Sequence, residues 1–143
     1  PHIPADVLER DLLAKQPYAQ YAVTNLVFDP EVFVHWLNTM RARGFTLPIY
    51  IGLPGTLRID RLIRIGMRLG LGSSLRYLEK QRGLVGRLLT GGGLRYDPGE
   101  FLDEVARQPA EARTGIIGVH WYSFNSVGSV VNWVAERQQR LGC

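Results

Sequence analysis

The sequence predicts an α/β fold with parallel strands. Three short runs rich in β-branched and aromatic residues, Tyr21–Phe28, Leu47–Ile51 and Gly115–Phe124, are each followed by residues on a helical period. Strands that alternate with helices are joined by crossovers, which makes neighbouring strands parallel. The pairs Asp29-Pro30 and Asp97-Pro98 mark two helix starts. Aspartate caps free amides, and proline at the first helical position gives up an N–H that has no partner there. Three strands are too few to close a barrel, and the helical stretches are too many for three strands to cover. An open doubly wound sheet and part of a closed eight-stranded barrel are the two readings.

Taken in order, residues 5 to 16 form a helix with Val7, Leu8, Leu12 and Leu13 on its period and Pro17 as its stop. The helix after Asp29 carries Val32, Phe33, Trp36, Leu37 and Met40 on one face, places Arg41 and Arg43 at its negative end, and terminates at Gly44. Gly52-Leu-Pro-Gly55 reads as a sharp loop after the second strand. The next helix, from about Arg58 to Leu69, turns Ile59, Leu62, Ile63 and Gly66 inward and Arg61, Arg64 and Arg68 to another side. Ser73-Ser74 caps a further helix to about Arg82, Leu84–Leu89 continues as another, and Gly91–Gly93 breaks the chain. The last helix follows Asn125-Ser126, with Val127, Val130, Val131 and Val134 inward.

Composition is ordinary for a globular domain: 143 residues, 45% hydrophobic and 21% charged. No apolar run is long enough for a membrane span, and no charged segment followed by an apolar one marks export, so a cytoplasmic protein with no membrane partner is expected. The single Cys143 excludes an internal disulfide framework and a multi-cysteine metal site. His2, His35 and Cys143 make no metal pattern, and His35 beside Trp36 reads as surface. The chain opens on Pro1-His2, as a chain that has been cut or is part of a larger one would. Between Arg58 and Arg95 the charge is basic, opposed only by Asp60 and Glu79. That block is either a solvated helical surface or a site for an anion or nucleic acid. An aromatic-interleaved ribbon or recognition motif is missing from it. Gly91-Gly92-Gly93 lacks the Lys-Ser/Thr of a phosphate loop and reads as a linker.

Three stretches carry a resemblance. Ala22-Val-Thr-Asn-Leu-Val-Phe-Asp29, Leu47-Pro-Ile-Tyr-Ile-Gly-Leu-Pro54 and Gly118-Val-His-Trp-Tyr-Ser-Phe-Asn125 resemble, in order and spacing, the last three strands of the methylenetetrahydrofolate reductase family. The resemblance implies the second half of a (β/α)8 TIM-type barrel with its helices outside. Residues 1–143 would then be a single incomplete domain whose N-terminal half, with the catalytic acid, lies upstream of Pro1. The activity implied is reduction of 5,10-methylenetetrahydrofolate to 5-methyltetrahydrofolate by NADH or NADPH, ordinarily through FAD. The folate-contacting amide falls on Asn25, a second folate contact falls at or beside Arg61, and Asn125 ends the last strand where the family's arginine is replaced by Ser126. His2, Lys15 and Tyr122 take the cofactor-facing places, Lys15 only with a one-residue gap. Arg10 and Lys15 stand among Asp6, Glu9 and Asp11, carboxylates that would repel a pyrophosphate, which favours hydride transfer from the nicotinamide without flavin.

On chemistry alone, Asn25 near the carboxyl end of its strand can donate to and accept from a ring at once, or simply bond a neighbouring strand. That end carries the ligand site in parallel sheets and barrels. On the last strand Trp121 and Ser123 face one side and His120, Tyr122 and Phe124 the other. A lone strand histidine is most often buried and hydrogen-bonded. Asn125 is a site residue or a turn cap. An arginine fork at Arg61 suits carboxylate or phosphate. Three strands also leave open edges, which invite association with the rest of a barrel or with another copy as a homo-oligomer.

Overall fold

A computed structural model describes residues 4–71 and 94–142. The helices expected after Ser73 and over Leu84–Leu89, the Gly91–Gly93 break, His2 and Cys143 lie outside the described residues. The elements in chain order are α1 (Ala5–Lys15), a 3-10 turn (Gln16–Tyr18), β1 (Ala22–Leu26), α2 (Pro30–Ala42), β2 (Ile49–Pro54), α3 (Ile59–Arg68), α4 (Pro98–Arg107), a second 3-10 turn (Glu111–Arg113), β3 (Ile116–Tyr122) and α5 (Val127–Leu141). The three strands form one open sheet in the order β1-β2-β3, and both pairings are parallel. The fold is therefore α/β, with a geometry compatible with part of a TIM-type barrel. No described helix is long and apolar enough to cross a membrane.

Both Asp-Pro starts are built as the sequence predicts. Asp29 accepts from the Val32 amide at 3.0 Å, and Asp97 Oδ1 accepts from the Gly99 amide at 2.9 Å. The same Asp97 oxygen accepts from Trp133 Nε1 at 3.0 Å, so one carboxylate both starts α4 and seats α5. Gly44 ends α2 at φ 92°, a left-handed conformation that costs glycine little.

One face of the sheet is covered. Ile49, Ile51 and Leu53 pack with Phe33, Val34, Leu37 and Met40 of α2, Phe45, and Phe101 and Val105 of α4. A second cluster gathers at the carboxyl ends of the strands, where Leu26, Phe28, Leu57 and Tyr96 meet Ile59 and Leu62 of α3. The inward faces of two helices are rotated from expectation. In α2, Val32 is 63% exposed and Val34 is buried, because Asp29 fixes the helix phase and puts position 32 on the outside of the first turn. In α5, Val127 and Val131 are exposed while Val130 and Trp133 are buried. The larger indole, held by Asp97 and stacked edge-on against Trp121 at 5.4 Å, sets the face. In α1 no residue is buried, although Leu12 and Leu13 touch the core.

Strand limits also differ. The stretch Gly52-Leu53-Pro54, expected as a loop, continues β2 in register with His120, Trp121 and Tyr122. β1 is shorter than expected, because side chains take over its ladder. Thr24 Oγ1 accepts from the Gly52 amide at 2.8 Å, and Asn25 Oδ1 accepts from the Leu26 amide at 2.8 Å. Register shifts between Val23 and Leu26 accordingly.

The amino ends of the strands are fastened by Arg41. Its Nη1 donates to the Phe45 and Leu47 carbonyls at 2.8 and 2.9 Å, and Nη2 donates to the Thr114 carbonyl at 3.3 Å. Its plane lies over the Phe45 ring, 4.9 Å from the centroid. Burial lowers its pKa from the ordinary guanidinium value, yet a guanidinium stays charged at any working pH. Gly115, at φ 80°, makes room for it: a Cβ there would come within 2.3 Å of Nη2.

Two substitutions test this clamp. Gly115→Ala combines a left-handed alanine with displacement of Arg41, and is expected to cost about 2 to 4 kcal/mol. Arg41→Met removes charge-assisted bonds to three carbonyls and is expected to cost a similar amount, about 2 to 4 kcal/mol. Because both changes break one contact, urea denaturation of the double variant should show clearly less than the sum. Full additivity would mean that the glycine and the arginine act separately.

Candidate functional site

In a parallel α/β sheet the strand carboxyl ends are where ligands bind, because loops rather than covering helices meet there. Here that end is made by β1 running out through Asn25, β2 through Pro54, and β3 through Tyr122 to Ser126. Four of the expected site residues, Asn25, Tyr122, Arg61 and Asn125, belong to this neighbourhood.

Tyr122 crosses the face of the sheet that the described helices leave uncovered. Its hydroxyl donates to the Thr24 carbonyl at 3.1 Å, spanning from β3 to β1 above β2. This reach requires Gly52: a Cβ there would meet the Tyr122 ring at 2.7 Å and the Thr24 carbonyl oxygen at 2.4 Å. The same device recurs lower down, where the Tyr50 ring lies 2.9 Å from the position a Cβ on Gly118 would take. Tyr122 also meets His120 edge-on at 4.7 Å and stacks with Phe124 at 6.3 Å. His120 is exposed, not buried as expected of a strand histidine. β3 is a sheet edge, and position 120 faces the uncovered side.

Arg61, at the start of α3, reaches the exit of β3. Its Nη2 donates to the Phe124 carbonyl at 2.8 Å and its Nη1 to Ser126 Oγ at 3.4 Å. It is free to do so because Asp60 is taken by its other neighbours: Arg58 at 3.0 Å and Arg64 at 3.2 Å. The hydrogen bond from Arg58 lowers the Asp60 pKa, with the charges of Arg58 and Arg64 adding to it. A carboxyl so lowered contributes its stabilisation above the unfolded-state pKa, and loses it as pH falls through the folded value. The exit clamped by Arg61 is strained. Phe124 has φ 46° and Asn125 φ 64°, adjacent non-glycine residues in a region that L-residues disfavour and asparagine tolerates best.

Asn25 is exposed and lies on the free edge of β1. It lines a cavity of about 600 Å³ whose walls include Val23, Phe28, Phe33 and Trp36. Lys15 is not brought to this end. It closes α1 beside Gln16, whose side chain donates to the Gly44 carbonyl and accepts from the Thr46 amide, both just before β2 begins. That is the amino end of the sheet, opposite Tyr122. Of the other charges on α1, Arg10 pairs with Asp6 at 3.6 Å, and Glu9 is bonded by Arg43. Sequence reasoning missed Thr24 and Gly52 as parts of this end. A glycine inside a strand pattern, which signals close approach of another group, was the clue to Gly52. Nothing comparable marked Thr24.

The arrangement defines an α/β protein with an open parallel sheet and a polar, strained carboxyl end. No protein-family model matches the chain.

Asn125 should tell strain from mere irregularity. Asn125→Gly is expected to leave thermal stability within about 0.5 kcal/mol or raise it, whereas Asn125→Val should cost about 1 to 2 kcal/mol. Equal melting temperatures for the two variants would show that the left-handed pair is not conformationally demanding.

Proposed function

We propose that this chain is the carboxyl-terminal part of a TIM-type barrel, serving reduction of 5,10-methylenetetrahydrofolate to 5-methyltetrahydrofolate with NADH or NADPH. The observation that carries the reading is the Arg61 bond to the β3 exit. It holds Arg61, Asn125 and Ser126 at the same end of the sheet as Asn25 and Tyr122. The two open edges support the barrel reading. Beside β1 stand exposed Val23 and Val32, and β3 and the helix after it carry exposed Ile117, Val127 and Val131, apolar groups that further strands and helices of a barrel would cover.

In this reading Asn25 and Asn125 offer amide donors and acceptors to the pterin ring, and the unused N–H groups of Arg61 meet a carboxylate of the folate tail. Tyr122, half-buried, backed by Gly52 and stacked on Phe124, gives a flat wall of fixed orientation for the nicotinamide. When bound, the nicotinamide supplies the hydride. The chain's part is to hold both rings in register and keep water away, while the acid that assists opening of the methylene bridge belongs to the upstream half. FAD fits these residues poorly. Among the described residues, Arg10 is spent on Asp6 and Lys15 stands at the other end of the sheet, so α1 brings no unpaired cation to a pyrophosphate at the strand carboxyl ends. Direct transfer from nicotinamide to folate is the route this reading takes. Of the basic 58–95 segment, Arg58 and Arg64 both hold Asp60, which draws these two away from a nucleic-acid surface.

In the full-length protein, Asn25→Ala is expected to weaken folate binding by about 1 to 3 kcal/mol with the melting temperature kept. Unchanged affinity with a lowered melting temperature would leave Asn25 a purely structural residue. The purified full-length protein should also be colourless and reduce methylenetetrahydrofolate without added flavin. A yellow protein whose activity is lost on flavin removal and restored by FAD would replace direct transfer with a flavin-mediated route.

A further inference from the structure

Most arginines of the described residues hold an acceptor: Arg41, Arg43, Arg61, Arg64, Arg107 and Arg137 are examples. Arg95 and Arg140 are different. Among the described residues neither has a hydrogen-bond acceptor from its guanidinium or an ion-pair partner, and both line one groove of about 400 Å³ beside α5. Asn132 and Ser129 add neutral polar groups to its wall. Trp133 forms part of the floor, its indole N–H already spent on Asp97 at 3.0 Å. The groove wall also carries two carboxylates, Asp97 and Glu136. Glu136 stands four residues before Arg140, the spacing at which a helical acid–base pair ordinarily meets, yet the two form no ion pair. Two guanidiniums that line one groove without an acceptor among the described residues leave N–H donors that one anion can bridge.

We propose that this groove is a phosphate site, taking inorganic phosphate or the phosphate of a monoester between Arg95 and Arg140. Phosphate is the favoured anion because its tetrahedral oxygens can accept from two separate guanidiniums and a neutral amide at once, whereas a carboxylate satisfies one fork. The site shares no residue with Asn25, Arg61, Asn125 or Tyr122, and stands or falls independently of the reductase reading.

The test is a titration of the full-length protein with inorganic phosphate at constant ionic strength, following the Trp133 indole N–H resonance, assigned by its loss in Trp133→Phe. A saturable shift is expected, weakened at least tenfold in Arg95→Gln/Arg140→Gln. Arg68→Gln, which removes an arginine outside the groove, should leave the midpoint unchanged, and Glu136→Gln should tighten binding. All four of these positions are exposed, so the variants should keep the wild-type amide dispersion. Absence of a saturable shift, an unchanged midpoint in the double variant, or an equal response to acetate would each overturn the assignment.

Discussion

Two glycines set where everything else on the uncovered face can stand. Gly52 and Gly118 leave bare backbone on adjacent strands, and the rings of Tyr122 and Tyr50 lie across those bare patches. Register follows, since Tyr50 pairs with Gly118 and Gly52 with His120. A slip of one residue would drive each ring into a side chain. Through its hydroxyl Tyr122 then reaches over the central strand to Thr24, so three strands are tied by one side chain at the end where Asn25 and Asn125 emerge.

Charge is used at both ends of the sheet to gather carbonyls. Arg41 collects those of Phe45, Leu47 and Thr114 below, and Arg61 holds that of Phe124 above. Each guanidinium offers several donors in a rigid plane, which lets one residue satisfy chain ends that have left the ladder. The difference lies in their surroundings. Arg41 is partly desolvated and its pKa is lowered by burial. Arg61 is exposed beside a strained turn, so it can change partners at little cost. The first arrangement suits a fixed joint, and the second suits a binding end.

Much of this architecture was legible in the sequence because its signals are local. Asp29-Pro30 and Asp97-Pro98 start helices through bonds made within a few residues, and the three β-rich runs became the three strands in the expected parallel arrangement. What was illegible depends on contacts distant in sequence. The buried face of α5 is chosen by Trp133 bonding to Asp97, and the extension of β2 through Pro54 depends on pairing with β3. Periodicity could not rank Val127 and Val131 against Trp133, since all are apolar. The site shows the same division. Arg61 and Asn125 could be placed at strand ends, but their meeting through Phe124 and Ser126 is tertiary, and Lys15 lies at the wrong end because α1 runs towards the amino ends of the strands.

The long crossover from β2 to β3 has a consequence for the order of assembly. Ala22 pairs with Ile49, whereas Ile49 pairs with Ile116, more than doubling the chain that must be closed. Closure entropy rises only logarithmically, by under about 1 kcal/mol for that difference, but the time to find a non-local partner grows as well. The β1–α2–β2 unit therefore assembles first and waits with one side of its central strand unpaired. During translation that side stays exposed until Ile116–Tyr122 have emerged, and this interval is when a chaperone would find its substrate.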